Sequence, residues 1–289
     1  MSRKMPACYI LFAREVTSKL MTELQVALAT ISGGAVGFAL GLLGGGGSIL
    51  AVPLLLYVVG IHDVHVVIGS TAMAVAVNAY FNLLPHAKAG HVRWKPAIWF
   101  AVFGVMGTTV GSVVGKLVPS KDILFLFAIL MLVMAYKMAR KRPPQSPNKD
   151  ASVQPKRIKS VRFVRLIISA VTVGLLSGFF GIGGGFLIVP ALMFSADLTM
   201  VEAVGTSLFS VGSFGLTTAV SYSLSGLVHW GIVVPFILGG AIGGIAGTMI
   251  AARFGKQKRT LNNIFSGVVA VVAVYMFVMS LHALYPHIA

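Results

Sequence analysis

Hydrophobic residues run along this chain in long, almost unbroken stretches, without the alternation of a half-buried strand or the narrow stripe of a surface helix. Glycine clusters, prolines and charges divide them into ten segments: residues 24–43, 48–60, 64–84, 96–118 and 123–139, then 164–180, 186–196, 201–226, 231–252 and 261–284. Most of them approach or exceed the about 20 apolar residues that a membrane-crossing helix needs. Residues 48–60 and 186–196 fall short, and their length suits half-helices or re-entrant pieces. The expected fold class is all-α: a polytopic membrane protein.

The two sets of five are copies. A shift of 137 places GLLGGGGSILAVP (41–53) on GFFGIGGGFLIVP (178–190), with Gly41, Gly44, Gly46, Gly47, Leu50, Val52 and Pro53 each matched by an identical residue. A shift of 136 then carries Gly69 to Gly205, Gly90 to Gly226, Trp94 to Trp230, and Gly104, Gly107 and Gly111 to Gly240, Gly243 and Gly247. The chain accordingly divides into an N-terminal segment (1–23), a first transmembrane repeat (24–139), a basic linker (140–163) and a second repeat (164–285).

Charge orients the copies. Loop 85–95 carries Lys88, Arg93 and Lys95, whereas its copy, 221–231, carries no lysine or arginine. In the next loop the bias reverses, with Arg253, Lys256, Lys258 and Arg259 against Lys116 and Lys121. Opposite bias in equivalent loops indicates opposite sides of the membrane, hence inverted repeats of about five segments each. The linker is then cytoplasmic, since ten of the 23 Lys and Arg lie between Lys137 and Arg165. Arg3, Lys4, Arg14 and Lys19 run against this scheme, which sets both termini outside.

Composition narrows the function. Of 289 residues, 57% are hydrophobic and 10% charged, and the mean hydropathy is +0.91, against a charged share of about 25% in soluble domains. The net charge of +16 points to anionic lipid headgroups rather than nucleic acid, because the basic stretch has no interleaved aromatics except Phe163. A single cysteine, Cys8, excludes an internal disulfide framework. No carboxylate lies at the centre of an apolar run, so a buried proton relay is not evident. No nucleophile or metal constellation marks an enzyme, and no cofactor is expected.

The glycine breaks carry the candidate chemistry. A helix break in hydrocarbon leaves backbone groups unpaired at several kcal/mol each, so it survives only inside protein or against a water-filled cavity. Breaks at Gly44, Gly45, Gly46 and Gly47, and at Gly181, Gly183, Gly184 and Gly185, recur at matching positions of a repeat, where transporters bind substrate. New helices are expected at Ser48 and near Phe186, with free amides and a positive dipole end that favour an anion. No Lys or Arg lies between Leu20 and Ala87 or between Leu166 and Ala252, so an anion held there relies on amides and hydroxyls. Ser48, Ser70, Thr71 and Asn78, with Thr206, Ser207, Ser210 and Ser213, are the candidates. Close helix packing is the competing account of the glycines, and the preferred one for Gly104, Gly107 and Gly111, whose three- and four-residue spacing follows a helix face. His62, Asp63 and His65 read as solvated loop residues.

The paired motif G-x-x-G-x-G-G-G/S-x-L-x-V-P, followed by Gly69-Ser70-Thr71 or Gly205-Thr206-Ser207 and then by Gly90-x-x-x-Trp94 or Gly226-x-x-x-Trp230, resembles the sulfite exporter TauE/SafE-type permease family. The resemblance implies a permease of the bacterial inner membrane for sulfite or a small organosulfonate, most simply an exporter. The alternatives are a permease for an unrelated small anion and a non-enzymatic membrane anchor or assembly protein. Expected partners are a small anionic substrate and membrane lipid; a homo-oligomer is compatible with the pattern.

Overall fold

A computed structural model describes residues 23–140, 160–181, 183–253, 267 and 269–279. Among these residues every regular element is helical. In chain order they are α1 (Glu23–Leu43), α2, α3 (Val64–Lys88), α4 (Trp94–Leu117), α5 (Ser120–Arg140), α6 (Ser160–Phe180), α7 (Gly185–Ala196), α8 (Met200–Ser223), α9 (Trp230–Arg253) and α10 (Val269–Met279). α2 is irregular: a 3-10 helix over Gly44–Leu50, one α-turn at Ala51–Pro53 and a π-turn at Leu54–Val58. Six stretches are long and apolar enough to cross a membrane, and α7 and α10 are shorter apolar helices.

Local chemistry sets several of the ends. Asp63 caps α3 by accepting from the His65 and Val66 amides at 2.9 and 3.3 Å. Thr199 and Glu202 form a reciprocal capping box at the start of α8. α7 starts differently, behind a left-handed Gly184 with no side-chain cap. Asp63 thus serves as a cap, and among the described residues no group of three His, Cys, Asp or Glu is close enough to hold a metal ion.

α3 and α8 form the centre. About 67% and 72% of their apolar windows are buried, against 39–44% for the other four spans, which leave one face for lipid. Around them α1 packs on α9 and α4 on α6, with α9 also against α3 and α4 against α8. Both flanking pairs close through glycine: side chains at Gly37 and Gly41 would overlap the carbonyls of Gly240 and Gly244, and side chains at Gly174 and Gly178 those of Gly104 and Thr108. Such backbone approach is how small residues join helices in lipid. Gly107 and Gly111 likewise meet the α6 backbone, as the packing account of their spacing expects.

The chain turns back on itself after α1 and after α6. A side chain on Gly47 would overlap the backbone of Ala39 and Leu40, and one on Gly184 would lie 2.6 Å from the Ser177 Cβ. Seven residues span about 10 Å along a straight helix, so both contacts require reversal. Positive φ angles at Gly44 (67°) and Gly181 (66°) make the turns, a region open to glycine.

Two boundaries differ from the apolar pattern. α6 starts at Ser160, four residues before the apolar run, because only the lipid-facing part of a helix must be apolar. No regular α-helix starts at Ser48; winding resumes at Gly44 as a 3-10 helix in which the Ser48 hydroxyl donates to the Gly45 carbonyl at 2.9 Å. After the second break three positive-φ glycines, Gly181, Gly183 and Gly184, postpone winding until α7.

The ends of the bundle are tied by two hydroxyls. The His229 amide donates to Ser70 Oγ at 2.9 Å, and the Arg93 amide to Thr206 Oγ1 at 3.0 Å. The start of α3 therefore lies against the α8–α9 loop, and the start of α8 against the α3–α4 loop. It follows that α3 and α8 run antiparallel, with the equivalent loops 85–95 and 221–231 at opposite ends. In a Cys8→Ser background, Ala89→Cys should resist an impermeant thiol reagent in intact cells and Ser225→Cys should react. Equal labelling would contradict the arrangement.

Candidate functional site

The two reversals meet at the centre of the bundle. A Cβ on Gly45 would lie 2.5 Å from the Gly185 Cα, and one on Gly185 would overlap the Gly45 carbonyl. Glycine is the residue that permits this backbone-to-backbone crossing. α8 covers it through Val211, which lies 2.7 Å from a Cβ placed on Gly45 and 3.1 Å from one on Gly183. α3 closes the other side, with Val75 at 3.4 Å from that Gly183 position. Gly44, Gly45, Gly47, Ser48, Gly181, Gly183, Gly184 and Gly185 are all buried.

The two turns differ in what they leave free. At the first, the Gly45 amide donates to Ser207 Oγ at 3.3 Å, the Ser207 hydroxyl donates to the Val204 carbonyl at 2.8 Å, and Ser48 donates to Gly45. Its polar groups are largely engaged with one another. At the second, the Gly184 carbonyl accepts from Leu187 and Ile188 at 2.9 and 3.0 Å and so anchors the first turn of α7. The amides that open α7 have no carbonyl four residues back within the helix. They carry the positive end of its dipole, equivalent to about half a charge.

The other expected residues separate into groups. Thr71 donates to Val67 and Ile68 within its own helix, at 2.8 and 3.0 Å. Ser70 and Thr206 each accept an amide from a loop at one end of the bundle, those of His229 and Arg93. Ser210, one turn beyond Ser207, is fully buried with no hydrogen-bond partner for its hydroxyl. Asn78 is also fully buried with neither amide atom bonded, and it faces Gly240 of α9, where a side chain would overlap it. Its equivalent, Phe214, faces Gly104 in the same way. Gly46 is the exception among the break glycines: a Cβ there would meet only the Leu43 Cβ, at 3.7 Å.

Sequence reasoning missed Ser177. This α6 residue is 1% exposed, its hydroxyl has no hydrogen-bond partner, and its Oγ would lie 2.8 Å from a Cβ on Gly184. The available signal was a mismatch inside the repeat, since the equivalent residue is Leu40. Asn82, which donates to the Asn78 carbonyl at 2.9 Å, was also missed.

Charges stay at the ends. Arg93 Nε donates to Glu202 at 2.7 Å beside the start of α8, and Lys116 Nζ donates to the Ser221 carbonyl and to Ser225 Oγ at 3.2 and 3.1 Å. The elements that form the crossing bring no lysine or arginine to it. The polar groups that the crossing buries are backbone amides and carbonyls and serine hydroxyls.

Comparison with known proteins adds to this geometry. A family model described as Sulfite exporter TauE/SafE matches residues 29–276. A "Probable membrane transporter protein" of Xylella fastidiosa (strain Temecula1) is 46% identical over 258 residues, covering 88% of this chain and 95% of the relative. The "Probable membrane transporter protein YunE" of Bacillus subtilis is 30% identical over 236 residues, covering 76% and 85%. "Sulfite exporter TauE/SafE family protein 5" of Arabidopsis thaliana is 29% identical over 135 residues, 45% of this chain and 30% of the relative. No solved structure matches the chain significantly.

The crossing makes a prediction about stability. Gly185→Ala forces a methyl into the Gly45 carbonyl, with backbone on both sides, and should sharply lower abundance and melting temperature. Gly46→Ala makes only an ordinary contact with the Leu43 Cβ at 3.7 Å, at a φ that is not positive, and should melt within a few degrees of the unsubstituted protein. A Gly185→Ala protein as stable as the parent would contradict the contact.

Proposed function

We propose that this chain, which belongs to the sulfite exporter TauE/SafE family and is a membrane transporter, moves a small oxyanion of the sulfite or organosulfonate class across the bacterial inner membrane. The observation that carries this reading is the buried crossing of two glycine turns, which offers helix-end amides and hydroxyls without a fixed cation. The chain is read as two inverted repeats, 24–139 and 164–285, joined by a basic cytoplasmic linker at 140–163. Support for the inversion comes from the antiparallel α3 and α8 and from the opposite charge bias of equivalent loops.

The substrate class follows from electrostatics. The cost of taking an ion out of water rises with the square of its charge, and each ion pays several kcal/mol even after relaxation. A helix end worth about half a charge compensates a monoanion far better than a dianion. Hydrogensulfite and alkyl sulfonates therefore fit, and sulfate fits poorly. Selectivity arises from this absence of fixed charge as much as from the donors present.

Direction follows from the same charge. An inside-negative membrane potential is worth about 2.3 kcal/mol per charge per 100 mV, enough to drive a monoanion outward without a coupling ion. Because the crossing is enclosed by α3 and α8, the anion reaches it only when the halves part at one end. The loop ties through Ser70 and Thr206, together with the Arg93–Glu202 pair, are the contacts that such parting breaks.

Flux from vesicles containing the purified protein, with the potential clamped by a potassium gradient, tests this function. Radiolabelled sulfite efflux should be saturable, should rise with an inside-negative potential, and should be inhibited more strongly by methanesulfonate than by sulfate. Flux no greater than from protein-free vesicles, or equal inhibition by the two, would contradict the reading.

A further inference from the structure

The two turns are equivalent by sequence and unequal in chemistry, and the difference localises the ligand. Several buried serine and threonine hydroxyls in these helices donate to a carbonyl three or four residues back, as Thr71, Thr108, Ser195 and Ser207 do at 2.6–3.0 Å, while those of Ser32, Ser177, Ser210 and Thr218 have no partner; of these four, Ser177 is the one beside a helix start. It is 1% exposed, its hydroxyl has no hydrogen-bond partner, and its oxygen lies beside Gly184, the residue that caps the 12-residue helix α7. A buried hydroxyl without a partner has lost its hydrogen bonds to water and gained none in return, a cost that a ligand at this helix end removes.

The first turn lacks the same equipment. Leu40 stands where the second half has Ser177. The Gly45 amide and the Ser48 hydroxyl are bonded within the protein. The winding after the first turn changes type twice, from a 3-10 helix to one α-turn at Ala51–Pro53 and a π-turn at Leu54–Val58, whereas α7 is one regular α-helix.

We infer that the transported oxyanion is bound at the second turn alone, by the N-terminal amides of α7 and by the hydroxyl of Ser177, which donates a hydrogen bond to an anion oxygen. This deepens the permease reading and rests on it. The first turn is then the wall against which the site is built, with Gly45 stacked on Gly185 and fixed through Ser207. One binding turn and one bracing turn give a single anion per transport cycle, with the hydroxyl contributed by α6.

Equilibrium binding of radiolabelled sulfite and methanesulfonate to the purified full-length protein, combined with melting curves with and without anion, tests the assignment. Ser177→Ala and Ser177→Cys should both weaken binding about ten- to a hundred-fold, the scale of losing a hydrogen bond to a charged group. Ser177→Thr, which keeps the hydroxyl, should restore it to within a few-fold. Without anion, Ser177→Ala should melt at or above the temperature of the unsubstituted protein, because it deletes an unsatisfied group; a merely structural serine would lower it. Ser195→Ala, which removes a buried, internally bonded hydroxyl at the far end of α7, should bind normally. Unchanged affinity in both Ser177→Ala and Ser177→Cys would overturn the role of Ser177 while leaving the permease reading in place. Failure of the unsubstituted protein to bind either anion would overturn the permease reading and Ser177 with it.

Discussion

Backbone amides and carbonyls cannot be left unpaired in a hydrocarbon environment, and the rest of this structure follows from that constraint. Each half of the chain interrupts its helical path with glycines, which exposes polar backbone at the middle of an apolar protein. The breaks survive because each is packed on the other, Gly45 against Gly185, and because α3 and α8 enclose them. That requirement places the most buried helices at the centre and leaves α1, α4, α6 and α9 to face lipid. The same enclosure keeps both glycine turns buried, so the polar backbone they expose lies within protein.

A repeat built this way starts with two equivalent half-sites, and substitution has separated them. In the first, a serine hydroxyl and a glycine amide are used to brace the turn. In the second, three positive-φ glycines hold the chain out of helical winding until α7 begins, and the buried Ser177 hydroxyl stands unpartnered beside Gly184. Asn78 and Phe214 extend the asymmetry one layer outward, an amide on one side and an aromatic ring on the other.

Much of this architecture was legible in the sequence because it rests on spacing and composition. Apolar run lengths marked the helices, and the recurrence of the glycine cluster near 137 residues marked the equivalent turns. Individual roles were less legible, because they depend on which partner a hydroxyl meets. Ser70 and Thr206 have the residue type of anion ligands, yet each accepts an amide from a loop of the other half. Ser177 sits in an ordinary apolar helix and gains significance only when the chain folds back to bring Gly184 beside it. Gly46 and Gly47 are neighbours in one glycine run, but a side chain on the first would meet only the Leu43 Cβ in ordinary contact and one on the second the backbone of α1, a distinction that no pattern of letters contains.

The central claim, that an oxyanion sits at the N-terminus of α7, is tested most directly by locating one. Selenite is close to sulfite in shape and charge, and its selenium scatters anomalously. Crystals of the protein grown with selenite should give an anomalous peak about 4 Å from the Gly185 and Phe186 nitrogens and from Ser177 Oγ, the separation left when selenite oxygens accept their hydrogen bonds, with no comparable peak at Gly44 or Gly45. A peak at the first turn, or one at the bundle ends beside Arg93 or Lys116 with none at α7, would contradict the account.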